Sequence, residues 1–417
     1  MAGPGIRYWE LATALAPRHD VTLVAPGHVD LPAQDFRVLP QGRRLDAAVG
    51  RGDAVICQQL TPTLVALARR SGARLIYDAY DPVLLENLEL QRTAPPRRRR
   101  VIVDSLRADL AYALRHADAV ACSSEKQRDL WIGAAMAVGA ITPGRYDRDP
   151  SLRGFIDVVP FGVQDADPTA ASPGPRQLFG LSKDDRVLLW GGGIWDWFDP
   201  LTPIRAVARL AARSPAVRLV FMGTRHPNPA FGEMPMVRTA RALAAELGIL
   251  DSSVFFNDGW VPYQERPGWL LDADLGVSAH FDHLETRFSF RTRMLDYIWA
   301  GLPIVATEGD PFAELITDRD LGAVVPYEDA PAFATALAGL LDDPRRREAI
   351  TSNLRVARAA MSWDASAAVL ERLVAAPGDR GPASGAGAAR YWARRLSTLL
   401  IRDGVGGTAR RVLRRRA

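Results

Sequence analysis

The sequence predicts an α/β protein of two domains, each a parallel sheet wound by helical crossovers. Short apolar runs alternate with longer segments whose apolar residues recur three and four apart, such as Tyr8 to Leu15 and Pro203 to Leu210. Strands alternating with helices of that length imply crossover connections and parallel pairing. The runs are also continuous rather than alternating, as in strands covered on both faces. Length supplies the domain number, since 417 residues exceed one ordinary core and suit two of roughly 150–200 residues.

The strands expected in the first half are Val21–Ala25, Phe36–Leu39, Ala54–Cys57, Leu75–Tyr77 and Ala119–Cys122. Those in the second half are Val187–Trp190, Val217–Met222, Val254–Phe256, Leu275–Ser278, Ile304–Ala306 and Ala323–Val325. Between the halves, residues 162–180 are rich in Gly, Pro and Asp and nearly free of apolar pattern, the composition of a linker. The expected domains are therefore 1–165 and 180–376, followed by a linker and basic tail, 377–417. A doubly wound domain normally opens with a strand that feeds a glycine loop and then a helix. Here the loop Gly3-Pro4-Gly5 stands at the start and the helix Ile6–Ala16 follows at once. The first sheet is accordingly expected to lack its central strand, between Val21–Ala25 and Ala54–Cys57. The natural chain is expected to begin about ten residues upstream, enough for a typical strand.

Composition narrows the class. Hydrophobic residues at 48% and charged residues at 24% suit a globular chain rather than a disordered one. No run approaches the ~20 apolar residues of a membrane span, and the N-terminus lacks the basic and apolar regions of a signal peptide. Cys57 and Cys122 each lie in an apolar run and read as buried thiols, which points to a reducing cytoplasm. The net charge is +4, only two of the 52 basic residues are lysines, and arginines clump at Arg97–Arg100 and between Arg410 and Arg416. Such clumps suit anionic lipid or phosphate-bearing partners; solvated faces of an arginine-rich chain are the plainer reading. The tail Tyr391–Ile401 mixes aromatics, arginines and leucines at helical spacing. It reads either as an interfacial helix on the inner face of a membrane or as a structural helix. Nucleic acid is not an expected partner.

Chemistry is concentrated at the exits of the strands. Gly3-Pro4-Gly5-Ile6-Arg7 puts flexible backbone and an arginine at a helix N-terminus, where peptide N–H groups favour an anion. The dinucleotide fingerprint also needs a third glycine and an acid about 20 residues on; neither is present, so a nicotinamide oxidoreductase fits poorly. In the second half, Leu188-Leu189-Trp190 runs into Gly191-Gly192-Gly193, a place for close approach of backbone to a ligand. Another exit, Phe256 to Tyr263, carries Trp260 and Val261. Ser289 to Ala306 reads as loop, helix, glycine stop and buried strand. Arg291, Arg293 and the amides of the first turn can hold a diphosphate, an ion pair with Asp296 or Glu285 being the alternative. Asp296, one turn into the helix, can accept two ribose hydroxyl hydrogens or stand as a surface acid.

From Gly3-Pro4-Gly5-Ile6-Arg7-Tyr8-Trp9 through Val158-Val159-Pro160-Phe161-Gly162-Val163 to Ala306, the order of these blocks resembles the family 4 (group 1) glycosyltransferases of the GT-B fold. Asp296, five residues before Gly301-Leu302-Pro303-Ile304-Val305-Ala306, is the most specific part. The resemblance implies two Rossmann-like domains with a cleft between them and a C-terminal helical tail. It implies a nucleotide-sugar donor on the second domain and a glycan or lipid-linked acceptor on the first. It further implies transfer of a hexose or deoxyhexose with retention, without metal or other cofactor. Asp296 then stands at the ribose, Trp260 and Val261 at the base, and Gly3 and Gly5 face the diphosphate and acceptor, with Arg7 beside them.

Three departures from the family pattern shift roles. Gly193 to Pro200 carries no cation where the family often has Arg and Lys, so Arg291 and Arg293 take the phosphate charge, with Gly192 and Gly193 beneath it. Phe288 stands eight before Asp296, where a glutamate is usual, and the nearest glutamate, Glu285, becomes the candidate near the donor sugar or else a loop carboxylate. The usual histidine of the first domain is replaced within Asp78-Ala79-Tyr80-Asp81-Pro82. There Asp81 is the candidate acceptor-site acid or base, or a turn cap, and Glu86 is a weaker one. Trp195 and Trp197 line a sugar pocket or fill the core. His280 and His283 lack a third ligand, so zinc is not expected. Two other classes compete. One is a non-catalytic nucleotide-sugar-binding scaffold of an envelope-polysaccharide complex. The other is a non-transferase of the same fold, such as an epimerase or a phosphorylase, but neither Lys126 nor Lys183 lies beside the glycines to hold a phosphorylase cofactor.

Overall fold

All eleven expected strands form, within two residues of the expected bounds, and every pairing between strands is parallel. The computed structural model describes residues 3–25, 35–40, 44–225, 232–377, 389, 391–396 and 398. In chain order the strands are β1 (Thr22–Ala25), β2 (Arg37–Pro40), β3 (Ala54–Cys57), β4 (Arg74–Asp78), β5 (Ala119–Cys122) and β6 (Ile156–Val158). They continue with β7 (Arg186–Trp190), β8 (Val217–Phe221), β9 (Val254–Phe256), β10 (Leu275–Ser278), β11 (Ile304–Thr307) and β12 (Gly322–Val325). The unexpected one is β6, only three residues long. With Asp157 at its centre, it leaves only two apolar residues to mark it.

The chain divides into two compact units. The first is Arg7–Pro160 with the chain after Trp363, and the second is Phe161–Trp363 with the first described residues up to Ile6. Residues 364–376, assigned by the linear reading to the second domain, therefore group with the first. The helix Trp363–Ala375 explains this correction, because Ala367, Leu370 and Leu373 are buried. Arg74 Nε donates to the Leu373 carbonyl at 2.8 Å, and Arg18 pairs with Glu371 at 2.8 Å.

The second unit is a six-stranded sheet in the order β12-β11-β10-β7-β8-β9. The order reverses between β7 and β10, and ligands of doubly wound sheets bind outside the carboxyl ends of the strands at such a switch point. β7 is the hub, with Val187, Leu188, Leu189 and Trp190 all fully buried.

The first unit holds two sheets, β1-β2 and β3-β4-β5-β6. No ladder joins them among the described residues, and β1 and β3 are both only half-buried, whereas β5 is wholly buried. Gly3 and Gly5 do not form the expected loop: the helix Gly3–Leu15 already includes them. Proline lacks the N–H that a first turn leaves unpaired and holds φ near the helical value, so Pro4 favours a helix start.

Of the tail, Tyr391 is buried and packs at a tilt against Tyr112, ring centroids 5.2 Å apart, and Arg395 pairs with Asp109 at 3.4 Å. These residues dock as a structural helix would. The Gly/Pro/Ala-rich stretch from 378 to 388 and the arginines from 410 to 416 lie outside the described residues. Cys57 and Cys122 are free thiols, each pushed up to about 12 by burial. No described helix is long and apolar enough to cross a membrane.

Candidate active site

The glycine turn after β7 is shaped by one tyrosine. Tyr297, on the helix Thr292–Ala300, is fully buried. The Gly191 N–H donates to Tyr297 Oη at 2.7 Å, and the hydroxyl lies 2.9 Å from the carbonyls of both Leu189 and Val277. Tyr297 thus ties β7 to β10 at the switch point. A Cβ on Gly276 would meet its ring at 2.6 Å, so the strand needs glycine there. Gly192 has φ +100°, a conformation that favours glycine. The Gly193 carbonyl accepts from Trp190 Nε1 at 3.2 Å and from Arg293 Nη2 at 3.0 Å. Helix and glycine loop are therefore already fitted together.

The two arginines have different fates. Arg291 stands at the N-cap of the same helix, and its fork is taken by Glu285, with Nη1 and Nη2 donating to the two carboxylate oxygens at 3.0 and 2.7 Å. Glu285 is 1% exposed, in the helix Leu284–Phe288, whose N-cap is His283. The ion-pair alternative thus holds for Arg291 and Glu285, because two buried charges this close are strongly favoured as a pair. Arg293 has no carboxylate partner among the described residues. It is 8% exposed, lies 4.4 Å over the Trp190 ring and 4.6 Å over Phe198, and its Nη1 is buried without a hydrogen-bond partner among the described residues. Burial, with Arg291 nearby, lowers its pKa to about 10, so it stays charged at neutral pH. Asp310 offsets the charge only in part, and a buried cation with no paired carboxylate is costly and attracts an anion. His280 beside it is buried, and burial together with Arg291 and Arg293 holds it neutral.

Asp296 faces a small pocket of about 50 Å³ that is also lined by Tyr263, Arg266, Thr292, Trp299 and Gly3. Such a volume holds a few waters. Arg266 Nε donates to Asp296 Oδ1 at 2.9 Å. The guanidinium is stacked 3.5 Å over Tyr263 and 4.6 Å over Trp299. Burial raises the Asp296 carboxyl pKa and Arg266 pulls against it; the side chain remains 34% exposed. Arg266 escaped the sequence reading because it lies 30 residues from its partner and no local pattern marks it. Trp260 and Val261 lie in the loop from β9 to Tyr263, Val261 being buried and Trp260 half-buried. Trp195 and Trp197 stack at 5.1 Å and 19°, and Trp197 is 7% exposed, so Trp197 packs into the core.

In the first unit, Arg7 corrects an expectation. Its side chain is fully buried, with Nε and Nη2 each donating to Asp78 at 2.8 Å and Nη2 also donating to the Val159 carbonyl at 2.9 Å. Asp78, not an external anion, neutralises it. Asp81 is half-buried and hydrogen-bonded with the Tyr80 hydroxyl, whose pKa burial and Asp81 raise. Glu86 lies in the helix Val83–Leu90. Gly5 is exposed in the first turn of its helix. Among the described residues no three His, Cys, Asp or Glu side chains are grouped to hold a metal.

The profile of the family described as glycosyl transferases group 1 matches residues 186–343. Most of the second unit thus resembles the group 1 glycosyltransferases. Over 193 residues the chain is 30% identical to D-inositol 3-phosphate glycosyltransferase 2 of Catenulispora acidiphila, covering 46% of this chain and 44% of that one. Over 195 residues it is 32% identical to the D-inositol 3-phosphate glycosyltransferase of Thermobispora bispora, covering 47% and 44%. The chain thus spans less than half the length of each of these relatives. The fold of the whole chain is GT-B, with two Rossmann-like domains. Anabaena Alr3699/HepE, solved in complex with UDP and glucose, superposes with TM-score 0.64 at 17% identity, covering 90% of this chain and 98% of that one. WaaG, a glycosyltransferase involved in lipopolysaccharide biosynthesis, superposes with TM-score 0.57 at 17% identity, covering 91% and 97%.

Proposed function

We propose that this chain transfers a hexose or deoxyhexose from a nucleotide-sugar donor to a glycan or lipid-linked acceptor, with retention and without a metal. The observation that carries the reading is Arg293, a buried cation beside the glycine turn at the switch point of a group 1 glycosyltransferase unit. As the bond from the sugar to the diphosphate breaks, charge accumulates on the leaving phosphate. Arg293 and the amides at the start of the helix Thr292–Ala300 meet it without rearrangement. Asp296 accepts ribose hydroxyl hydrogens from the pocket, and Trp260 and Val261 border the base. Asp81 serves the acceptor as acid or base. The related D-inositol 3-phosphate glycosyltransferases add a phosphorylated polyol to the acceptors worth testing. The protein works in the cytoplasm, in peripheral contact with the anionic inner face of a membrane.

A non-catalytic donor-binding scaffold is the second reading, favoured by one observation: Glu285, the candidate carboxylate near the sugar, is held by Arg291. Melting the protein with a panel of nucleotide sugars finds the donor, because a ligand of the native state raises the melting temperature. Transfer to acceptor extracts then separates enzyme from scaffold. Absence of both transfer and donor hydrolysis with a donor that does bind would establish the scaffold. Activity is expected to survive EDTA, since arginine and helix amides meet the diphosphate charge. Loss on chelation and recovery with a divalent ion would overturn the metal-free reading.

Asp296→Ala is expected to weaken donor binding by about 1–3 kcal/mol, because ribose hydroxyls lose their acceptor. Titration calorimetry checks this, and unchanged affinity would move the ribose elsewhere. Asp296→Asn, which keeps an acceptor oxygen, should lose less.

A further inference from the structure

The helix Val83–Leu90 reads Val-Leu-Leu-Glu-Asn-Leu-Glu-Leu, yet none of its residues is buried, and Val83 is 40% exposed. An apolar helix of a globular unit normally hides one stripe in the core; this one is half-covered all round. Immediately after it the charge turns basic. Arg92 is exposed, and the helix Pro96–His116 opens on Arg97, Arg98, Arg99 and Arg100. The Arg100 side chain is 85% exposed, with Asp104 3.9 Å away. The two features form one surface, because Arg99 Nη2 donates to the Leu88 carbonyl at 2.9 Å. The other acids on this stretch are Glu86 and Glu89, and Glu89 is paired with Arg92 at 3.3 Å. Arg97 and Arg98 have no carboxylate partner among the described residues.

Exposed Val83 and half-buried leucines beside exposed arginines match the two layers of an anionic bilayer interface, acyl boundary and phosphate headgroups. We propose that residues 83–100 seat the first unit on an anionic lipid bilayer. The leucines of Val83–Leu90 enter the interface, and Arg97, Arg98 and Arg100 meet the headgroup phosphates. The inference rests on the reading of a peripheral membrane protein and names the surface that makes the contact. The placement also suits a lipid-linked acceptor. Asp81-Pro82 leads straight into the helix, so the seat brings the candidate acceptor acid next to the headgroups.

The test is co-sedimentation of the full chain with phosphatidylglycerol-containing vesicles and with pure phosphatidylcholine vesicles, at low and high salt. The wild type is expected to bind the anionic vesicles only and to be released by salt. The combined Arg97→Glu, Arg98→Glu and Arg100→Glu variant should bind roughly 100-fold more weakly, each arginine near the surface contributing about fivefold. Val83→Asp should weaken binding several-fold, and truncation after Ile401 should leave it in place. Unchanged melting temperatures will show that the variants fold; should the triple variant melt early, Arg100→Glu alone is read instead. If the wild type binds neither vesicle, the peripheral reading itself fails. If it binds anionic vesicles but the arginine variants bind equally well, or truncation alone abolishes binding, the surface is wrong and the peripheral reading stands.

Discussion

Arg293→Met is expected to lower kcat/KM for the nucleotide sugar by about 10²–10³-fold, the range seen when a preorganised group aimed at developing charge is removed. The variant should nevertheless fold as well as the wild type, or better. Arg293 is buried over Trp190 and Phe198, and burial has already lowered its pKa to about 10. No carboxylate pairs with it among the described residues, and buried Asp310 offsets its charge only in part. Exchanging an incompletely compensated buried cation for an apolar chain of similar length removes a desolvation penalty. The losses are the hydrogen bond to the Gly193 carbonyl and the cation–π contacts with Trp190 and Phe198. Stability and activity are thus expected to move apart, which a structural arginine would not allow. Paired melting curves and steady-state kinetics decide it. A large fall in melting temperature, or full activity, would end the assignment of this cation to the phosphate.

Asp78→Ala is expected to destabilise the first unit by about 3–5 kcal/mol, the cost of stranding one charge of a buried pair. Arg7 and Asp78 are both fully buried and share two hydrogen bonds of 2.8 Å. With Asp78 gone, Arg7 keeps the Val159 carbonyl at 2.9 Å and the Tyr80 ring at 5.0 Å, neither of which neutralises it. The double variant Arg7→Met, Asp78→Leu should recover most of the loss, since a well-packed apolar pair often replaces a buried ion pair without penalty. Denaturant titration of both proteins measures the difference. If Asp78→Ala keeps its stability and loses only activity, the pair belongs to the acceptor chemistry and not to the core.

Much of the architecture was legible because its signals are local. A strand covered on both faces must be apolar along its whole length, and eleven such runs marked β1 to β5 and β7 to β12. The glycine turn after Trp190 was legible for a similar reason. A run of three glycines at a strand exit is rare unless backbone conformation or close approach demands it, and Gly192 at φ +100° bears that demand. Where a run was short and interrupted, as at Asp157 in β6, the signal vanished.

The sequence by itself determined the fold class, eleven of the twelve strands, and the segments to which the proposed donor site is assigned: the Gly191–Gly193 turn, the loop of Trp260 and Val261, and the helix bearing Arg293 and Asp296. Tertiary structure alone decided how the charges pair. Arg7 looked like an anion binder at a helix end and instead meets Asp78, 71 residues away. Arg291 closes on Glu285, and Arg266, unmarked by any motif, meets Asp296 across 30 residues. Tertiary structure also returned the helix Trp363–Ala375 to the first unit, through a buried face and the bond from Arg74 to Leu373. The physical reason is one of range. Burial writes a periodicity into neighbouring residues, whereas an ion pair in the core is specified by two side chains that only the folded backbone brings together.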